Sequence, residues 1–370
     1  MGVKVRWGAA LLGGLLVAAA AQAQIRIGQT AGFSGPVAAG VKEVSDGAKL
    51  YLDAINKAGG VGGQQIEVIA LDDKFEPPLA AENAKKLIDQ GVIALFLTRG
   101  TPHTQAVLPL LAQHKVPLIA PSTGAMVLHS PVNPWVFNVR ATYQREAERA
   151  IRHLSLIGMD RIALVQVDDS FGADAATGAL NGFTAVGKQP ALHEKFDRSK
   201  PDMAPIIPKV IKADAQAVLF IGSGNMVADG VKQLRAAGSR AQVVTLSNNA
   251  SAGFVKSLGD NARGTVVSQV FPYERSLSAP IVKEAIEFAK AAGKGEVTPA
   301  MLEGYAAAKV LVEGLKRAGP QPTREKLKTA LETFRRVDIG GLEVSFSAND
   351  HSGLDYADLS IVGEDGRFKR

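Results

Sequence analysis

Six short segments of this chain gather small, hydroxylated and amide side chains in a pattern suited to holding an anion. They are Gln29–Gly35, Thr98–Pro102, Pro121–Gly124, Asp168–Gly172, Gly222–Asn225 and Ser247–Asn249. Their glycines let a ligand approach the backbone. Their hydroxyls, with the N–H groups of helix starts, hold negative charge. One such segment is an ordinary helix cap. Six of them, three in each half and each at the end of an expected strand, point to a shared cleft.

Catalysis is poorly provided for. There is no cysteine nucleophile. There is also no G-x-S-x-G elbow, no H-E-x-x-H pair and no G-x-x-x-x-G-K-[ST] phosphate loop. The opening loop after Gly28 is not G-x-G-x-x-G, which weakens a dinucleotide reading. His103, His114, His129, His153, His193 and His351 lack metal-ligand spacing and read as surface or helix-end residues. Asp72-Asp73 and Asp168-Asp169 read as turn or cap residues. Ser170, beside Asp168 and Asp169, is the nearest approach to a hydrolase nucleophile, and no histidine adjoins it. Neither a metal nor a cofactor is expected.

The elements that must carry these loops alternate. Ile25–Gly28 reads as a strand, followed by a helix with Val44, Ala48, Tyr51, Leu52 and Ile55 on one face, stopped by Gly59-Gly60. Ile66–Leu71, Val92–Leu97 and Val116–Ala120 read as strands, with helices at Ala80–Asp89 and Thr104–Gln113 between them. The rhythm restarts with a helix at Thr142–Gly158. Strands follow at Arg161–Val167, Ala191–Phe196, Ala217–Ile221, Gln242–Ser247 and Gly264–Val270, alternating with helices at Phe171–Val186, Pro205–Lys212 and Asn225–Ala237. Helices at Ser278–Ala292, Pro299–Arg317 and Arg324–Phe334 come next, then short strands near Gly341–Val344 and Asp358–Val362. This is the βαβα order of doubly wound parallel sheets. It predicts an α/β chain of two Rossmann-like lobes. In open α/β sheets the ligand lies beyond the carboxyl ends of the strands, where the six segments sit.

Residues 1–23 read as a cleavable export signal. Lys4 and Arg6 precede the uncharged stretch Trp7–Ala20, and Ala21-Gln22-Ala23 is a cleavage site. The apolar stretch is too short to span a bilayer. The expected location is therefore periplasmic, without ATP or NADH at hand. The formal charge of +6 falls to +4 without Lys4 and Arg6, and the bases are scattered, so no nucleic-acid partner is expected. Roughly 350 residues remain, natural for two cores. The mature chain is expected to be a soluble monomer and not itself membrane-embedded.

Several motifs carry a family resemblance. They are Ile27-Gly28 with Gly32, Ser34, Gly35 and Pro36; Asp46-Gly47-Ala48; Ala58-Gly59-Gly60-Val61 with Gly63; Asp72-Asp73; Phe171-Gly172; Leu234-Arg235 with Gly238; and Asp365-Gly366-Arg367-Phe368. Over residues 24–370 the chain resembles periplasmic substrate-binding proteins of branched-chain amino acid (Leu/Ile/Val) ABC transporters, of the type I fold. The resemblance implies two lobes joined by three crossings that close on a ligand. One lobe comprises 24–140 with 272–350, the other 141–271 with 351–370. It implies no catalysis, a small-molecule solute, and ABC permease subunits as partners. A sensing module of the same fold, reporting to a signalling partner, is the alternative, and an exported hydrolase a more remote one.

The resemblance also implies a site. Thr101, Ser122, Thr123 and Gly124 match positions that hold the ligand carboxylate, and Phe171 matches an aromatic residue that packs over it. Phe33, Ser34, Gly100, Asp169, Ser223, Asn225, Asn248 and Gln269 complete the expected contacts. Amino-acid binders commonly place an acid near Ser247-Asn248-Asn249 to pair with the α-ammonium. This chain has amides there, and Ser223-Gly224-Asn225 replaces a Tyr-rich stretch. A buried ammonium needs a charged or well-placed acceptor. Without the acid it would rely on Asp168, Asp169 or neutral groups, so an aliphatic or aromatic acid lacking the amine, or a neutral amide, becomes a candidate beside an amino acid.

Overall fold

A computed structural model describes Gly2 and residues 24–370, so the expected export signal lies outside the described residues. The first lobe begins β1 (Ile25–Ala31), α1 (Ala38–Lys57), β2 (Ile66–Asp72), α2 (Pro77–Asp89), β3 (Ala94–Phe96), α3 (Thr101–His114), β4 (Leu118–Ile119), β5 (Val136–Phe137). These strands form one parallel sheet in the order β2-β1-β3-β4-β5, with Ile25 opposite Ile66 and Ala31 opposite Asp72. The apolar runs expected at Val92–Leu97 and Val116–Ala120 pair over fewer residues. Leu97 and Ala120 turn into left-handed φ of 51° and 50°, which ends each strand and swings its loop toward the cleft.

The chain then builds α4 (Tyr143–Leu156), β6 (Ile162–Val167), α5 (Ser170–Ala185), β7 (Leu192–Phe196), α6 (Ile207–Lys212), β8 (Ala217–Ile221), α7 (Gly224–Ala236), β9 (Gln242–Thr245), α8 (Ala252–Leu258) and β10 (Val266–Gln269). It returns to the first lobe for α9 (Pro280–Ala291), α10 (Pro299–Ala318), α11 (Arg324–Glu332), β11 (Val337–Asp338) and β12 (Glu343–Val344). It ends with β13 (Asp358–Val362) and β14 (Phe368–Lys369) on the second sheet. That sheet runs β14-β13-β10-β9-β8-β6-β7, parallel from β6 to β10 and antiparallel at β13 and β14.

Each sheet has its own core. One gathers Leu164, Val165, Leu219, Phe220 and Val243; the other gathers Ile27, Phe96, Ile119, Leu302 and Leu311. Strands such as Ala-Val-Leu-Phe-Ile of β8 are buried throughout because helices cover both faces. The chain passes between the lobes three times: after Phe137, after Gln269 and after Val344. Two passages run side by side, Asn138 N donating to His351 O at 2.9 Å and Gly353 N to Asn138 O at 2.8 Å. Among the described residues no helix is long and apolar enough to cross a membrane.

Candidate functional site

The loops at the carboxyl ends of the two sheets face each other, and the chain fixes them differently. In the first loop the Ser34 hydroxyl and amide both donate to Asp72, at 2.6 and 3.1 Å. Phe33 lines a cavity between α1 and the sheet with Gln29, Ser45 and Phe96. Neither is brought among the other expected contacts; they fix the turn instead. Asp73 is wholly buried, taking the Thr30 hydroxyl at 3.1 Å and Phe75 N at 2.9 Å, and burial pushes its carboxyl up to about 6. With Asp72 taking Lys74 N at 2.9 Å, this holds Lys74 and Phe75 at φ 52° and 62°. The acids at 72 and 73 are thus turn residues, and what they present is the Phe75 ring.

That ring stacks on His103 with centroids 4.0 Å apart, and the Arg198 guanidinium of the second lobe lies 5.2 Å from its centre. His103 stands in the first turn of α3, a helix end as expected, but is 1% exposed rather than at the surface. Burial pushes its pKa down to about 4, so it is neutral at pH 7. His129 and His351 are buried too, bonded to Ser352 and to the Asn133 and Val136 carbonyls. Helical spacing alone did not reveal this. Gly100, at φ 91°, cannot carry a side chain because a Cβ would press on His103 Nδ1 and the Phe75 ring. Its role is to admit that stack.

The expected carboxylate loops lie next to it. The Thr101 and Thr123 hydroxyls, both buried, bond each other at 2.8 Å. Ser122 Oγ accepts from Arg99 Nη1 at 2.8 Å and donates to Glu303 Oε1 at 2.6 Å. Arg99 Nη2 then donates across the lobes to Asn248 O at 2.6 Å. Gly124 abuts the first crossing, where a Cβ would meet Ala141 O, and Gly124 O accepts from Tyr143 N at 2.8 Å. Beneath lies Arg140, fully buried, paired with Glu146, bonded to Ser247 Oγ at 2.6 Å and set 4.7 Å from the Tyr143 ring. Burial would lower its pKa, but Glu146, Tyr143 and Glu303 outweigh that and raise it. Glu146 also takes Ser247 N at 2.9 Å and the Ser268 hydroxyl.

From the second lobe, Asp169 caps α5 through Phe171 N and Gly172 N at 3.0 Å and pairs with Arg198 at 2.5 Å. Asp168 pairs with Lys195 at 3.0 Å. Phe171 is buried with its ring edge-on to Tyr143 at 4.7 Å. Asn225 is exposed, and with Asn248, Gly40 and Arg99 it lines a small gap of about 40 Å³ between the lobes. A larger cavity of about 510 Å³ opens beside it, walled by Pro36 and Phe75 from one lobe and by Phe196, Arg198 and Met226 from the other. Ser223 Oγ, Asn248 Oδ1, Gln269 Nε2, Arg198 Nη1, Arg140 Nη1 and both His103 nitrogens are buried at these loops and make no well-formed hydrogen bond among the described residues. Such unmet groups are rare in folded proteins and call for a partner.

The sequence reading passed over Phe75, His103, Arg140, Arg198 and Glu303 as site residues. Arg99 had a signal, since it stands inside the Thr98–Pro102 loop. The others are separated along the chain and converge only through the fold. Among the described residues no group of three or more His, Asp or Glu is placed to hold a metal ion.

Residues 24–365 match the family model described as periplasmic binding protein. The Leu/Ile/Val-binding protein homolog 3 of Brucella melitensis is 27% identical over 340 residues, 89% of each chain. A substrate-binding periplasmic protein from Ralstonia solanacearum superposes with a TM-score of 0.86 at 31% identity, covering 93% of this chain and 99% of that one. A possible leucine/isoleucine/valine-binding protein from Rhodopirellula baltica gives 0.88 at 25% identity, covering 94% and 97%.

Proposed function

The chain belongs to the periplasmic binding protein family, of the Leu/Ile/Val-binding type, and we propose that its solute is a small carboxylate lacking an α-ammonium. As a solute-binding protein of an ABC uptake transporter, it closes its lobes on the solute and presents the closed form to the permease. The lobes hinge where the chain crosses, near residues 140, 271 and 350. The loops from Thr101 and from Ser122 to Gly124, with Ser223, Asn225, Asn248 and Gln269 opposite, form the cleft, and Phe171 is the aromatic wall beneath it.

One observation carries the choice of solute. Arg99 reaches across the cleft to the Asn248 carbonyl at 2.6 Å, in the loop where amino-acid binders place the acid for an ammonium. The guanidinium supplies at that point the cation an amino acid would have brought. The acids nearby are engaged: Glu146 and Glu303 with Arg140 and Ser122, Asp169 with Arg198, Asp168 with Lys195. An ammonium placed there would compete with fixed cations for these carboxylates, and stripping it of water without a partner is costly.

A thermal-shift panel tests this on protein processed and purified from the periplasm of an expression host. It pairs amino acids with the matching acids, such as leucine with 4-methylpentanoate and phenylalanine with 3-phenylpropanoate. Binding to the native state raises the melting temperature by mass action. Stabilisation by the acids is expected. Stabilisation by α-amino acids alone overturns the proposal.

A further inference from the structure

Two cavities meet where the lobes face each other. The first turn of α7 borders both: Gly224 and Asn225 line the gap of about 40 Å³, and Met226 lines the cavity of about 510 Å³. Pro36 of the first lobe also borders both. One solute can therefore occupy the two together.

The small gap suits the acid group, since it has room for a carboxylate and little more. Arg99 lines it from the first lobe, and the start of α7 lines it from the second. Ser223, at the cap of α7, is 3% exposed, and its hydroxyl bonds none of the N–H groups of that first turn. The large cavity suits an uncharged body. Its two bases are engaged, Lys195 with Asp168 at 3.0 Å and Arg198 with Asp169 at 2.5 Å. Glu76 and Asp197 leave its wall with more acids than bases, which disfavours a second carboxylate there. The remaining wall is Pro36, Phe75, Phe196 and Met226, with the Arg198 guanidinium 5.2 Å from the centre of the Phe75 ring. A guanidinium and a thioether both favour an aromatic neighbour over a saturated one.

We propose that the solute is an aromatic monocarboxylate, its acid group in the gap beside Arg99 and the start of α7, its ring in the larger cavity against Met226 and Arg198. This rests on the acid-binding reading above. The test measures dissociation constants for propanoate, 3-phenylpropanoate and 3-cyclohexylpropanoate, which share the acid group and differ in the body. The phenyl acid is expected to bind roughly thirtyfold or more tightly than propanoate, the return on burying a ring. It is expected to bind roughly threefold more tightly than the cyclohexyl acid, from the guanidinium contact. Met226→Trp, which fills the large cavity from α7, is expected to remove the advantage of the ring and leave propanoate within about threefold of wild type. Should that variant fail to fold, Arg198→Ala, at a partly exposed position, carries the comparison: the phenyl acid is expected to lose its lead over the cyclohexyl acid. Wild type that binds the three acids alike overturns this inference alone, as does a cyclohexyl acid that binds as tightly as the phenyl acid, or a lead of the phenyl acid that the folded variants retain. Wild type that binds none of the acids overturns the acid reading and this inference with it.

Discussion

Replacing Gly253 with alanine should hold the two lobes apart. Gly253 opens α8 on the second lobe and lies against Ala39 on α1 of the first. A Cβ at 253 would fall about an ångström short of ordinary contact distance from the Ala39 Cβ. The neighbouring Glu43 on α1 accepts from Ala252 N at 3.0 Å and from Gly253 N at 2.8 Å, and its position is fixed by the Thr298 hydroxyl at 2.8 Å. Moving α8 back by an ångström stretches both bonds beyond hydrogen-bond length. The contacts of Gly253 and Ala252 with Ala39 and Glu43 join one lobe to the other, so an open molecule lacks them and the variant penalises only the closed form.

The size of the effect follows from the contacts. Hydrogen bonds to a charged group are worth roughly 1.5–3 kcal/mol, and water recovers part of that when the seam opens. A net shift of about 2 kcal/mol against closure lowers the competent fraction, and the apparent affinity with it, roughly 30-fold. Titration calorimetry with the best acid from the panel measures the affinity. Small-angle scattering with and without solute reports closure. Glu43→Gln, which keeps the shape and removes the charge, should move affinity the same way by less. An affinity for Gly253→Ala within threefold of wild type refutes the reasoning. So does a large fall in the ligand-free melting temperature, which would mark the seam as part of folding rather than of closure.

Acid sensitivity has a calculable sign. Burial pushes His103 and His129 down to about 4, so between pH 4 and 6.5 the unfolded chain binds more protons at these two positions, and stability climbs with pH across that window. Asp73, pushed up to about 6 by burial, contributes oppositely between its unfolded value and 6, because there the folded chain holds the proton. His103→Phe removes one of the two favourable slopes, so urea midpoints at pH 4.5, 5.5 and 6.5 should fall less steeply on acidification, by at most roughly 1.4 kcal/mol per pH unit; parallel profiles for wild type and variant would count against a buried neutral imidazole. Gly304 on α10 lies against α1, where a Cβ would overlap the Val44 carbonyl. Gly304→Ala should cost about 1–3 kcal/mol by overpacking, read as a lower urea midpoint with solute affinity within about twofold.

The alternation of elements was legible because burial on both faces writes long apolar runs, as in β6 and β8, and glycines such as Gly59 and Gly60 stop helices. The pieces that escaped were short. The two-residue strands β5, β11 and β14 offer no period to read, and α8 spans only seven residues behind its Ser251 cap. The position of the cleft was legible for a topological reason: ligands lie beyond the carboxyl ends of parallel strands, and those ends are marked by Gly, Ser and Thr.

Which side chains face a solute was not legible, because that depends on which of them already have partners. Ser34, Asp169 and Thr101 have the right chemistry and the right loops, yet Asp72, Arg198 and Thr123 occupy them. Arg198 carried no motif, yet it lines the cavity between the lobes and its Nη1 is unmet there. Residue type sets the capacity to bond, and the fold decides how much of it is spent internally. Glu303, for example, meets Ser122 only because α10 returns from 181 residues further along the chain. The same logic bears on the solute. An acid at the loop from 247 to 249 would have paired with Arg99 just as readily as with an ammonium, so the amides there and the arginine at 99 are read together. With a neutral loop, Arg99 settles on the Asn248 carbonyl and is tied through the Ser122 hydroxyl to Glu303.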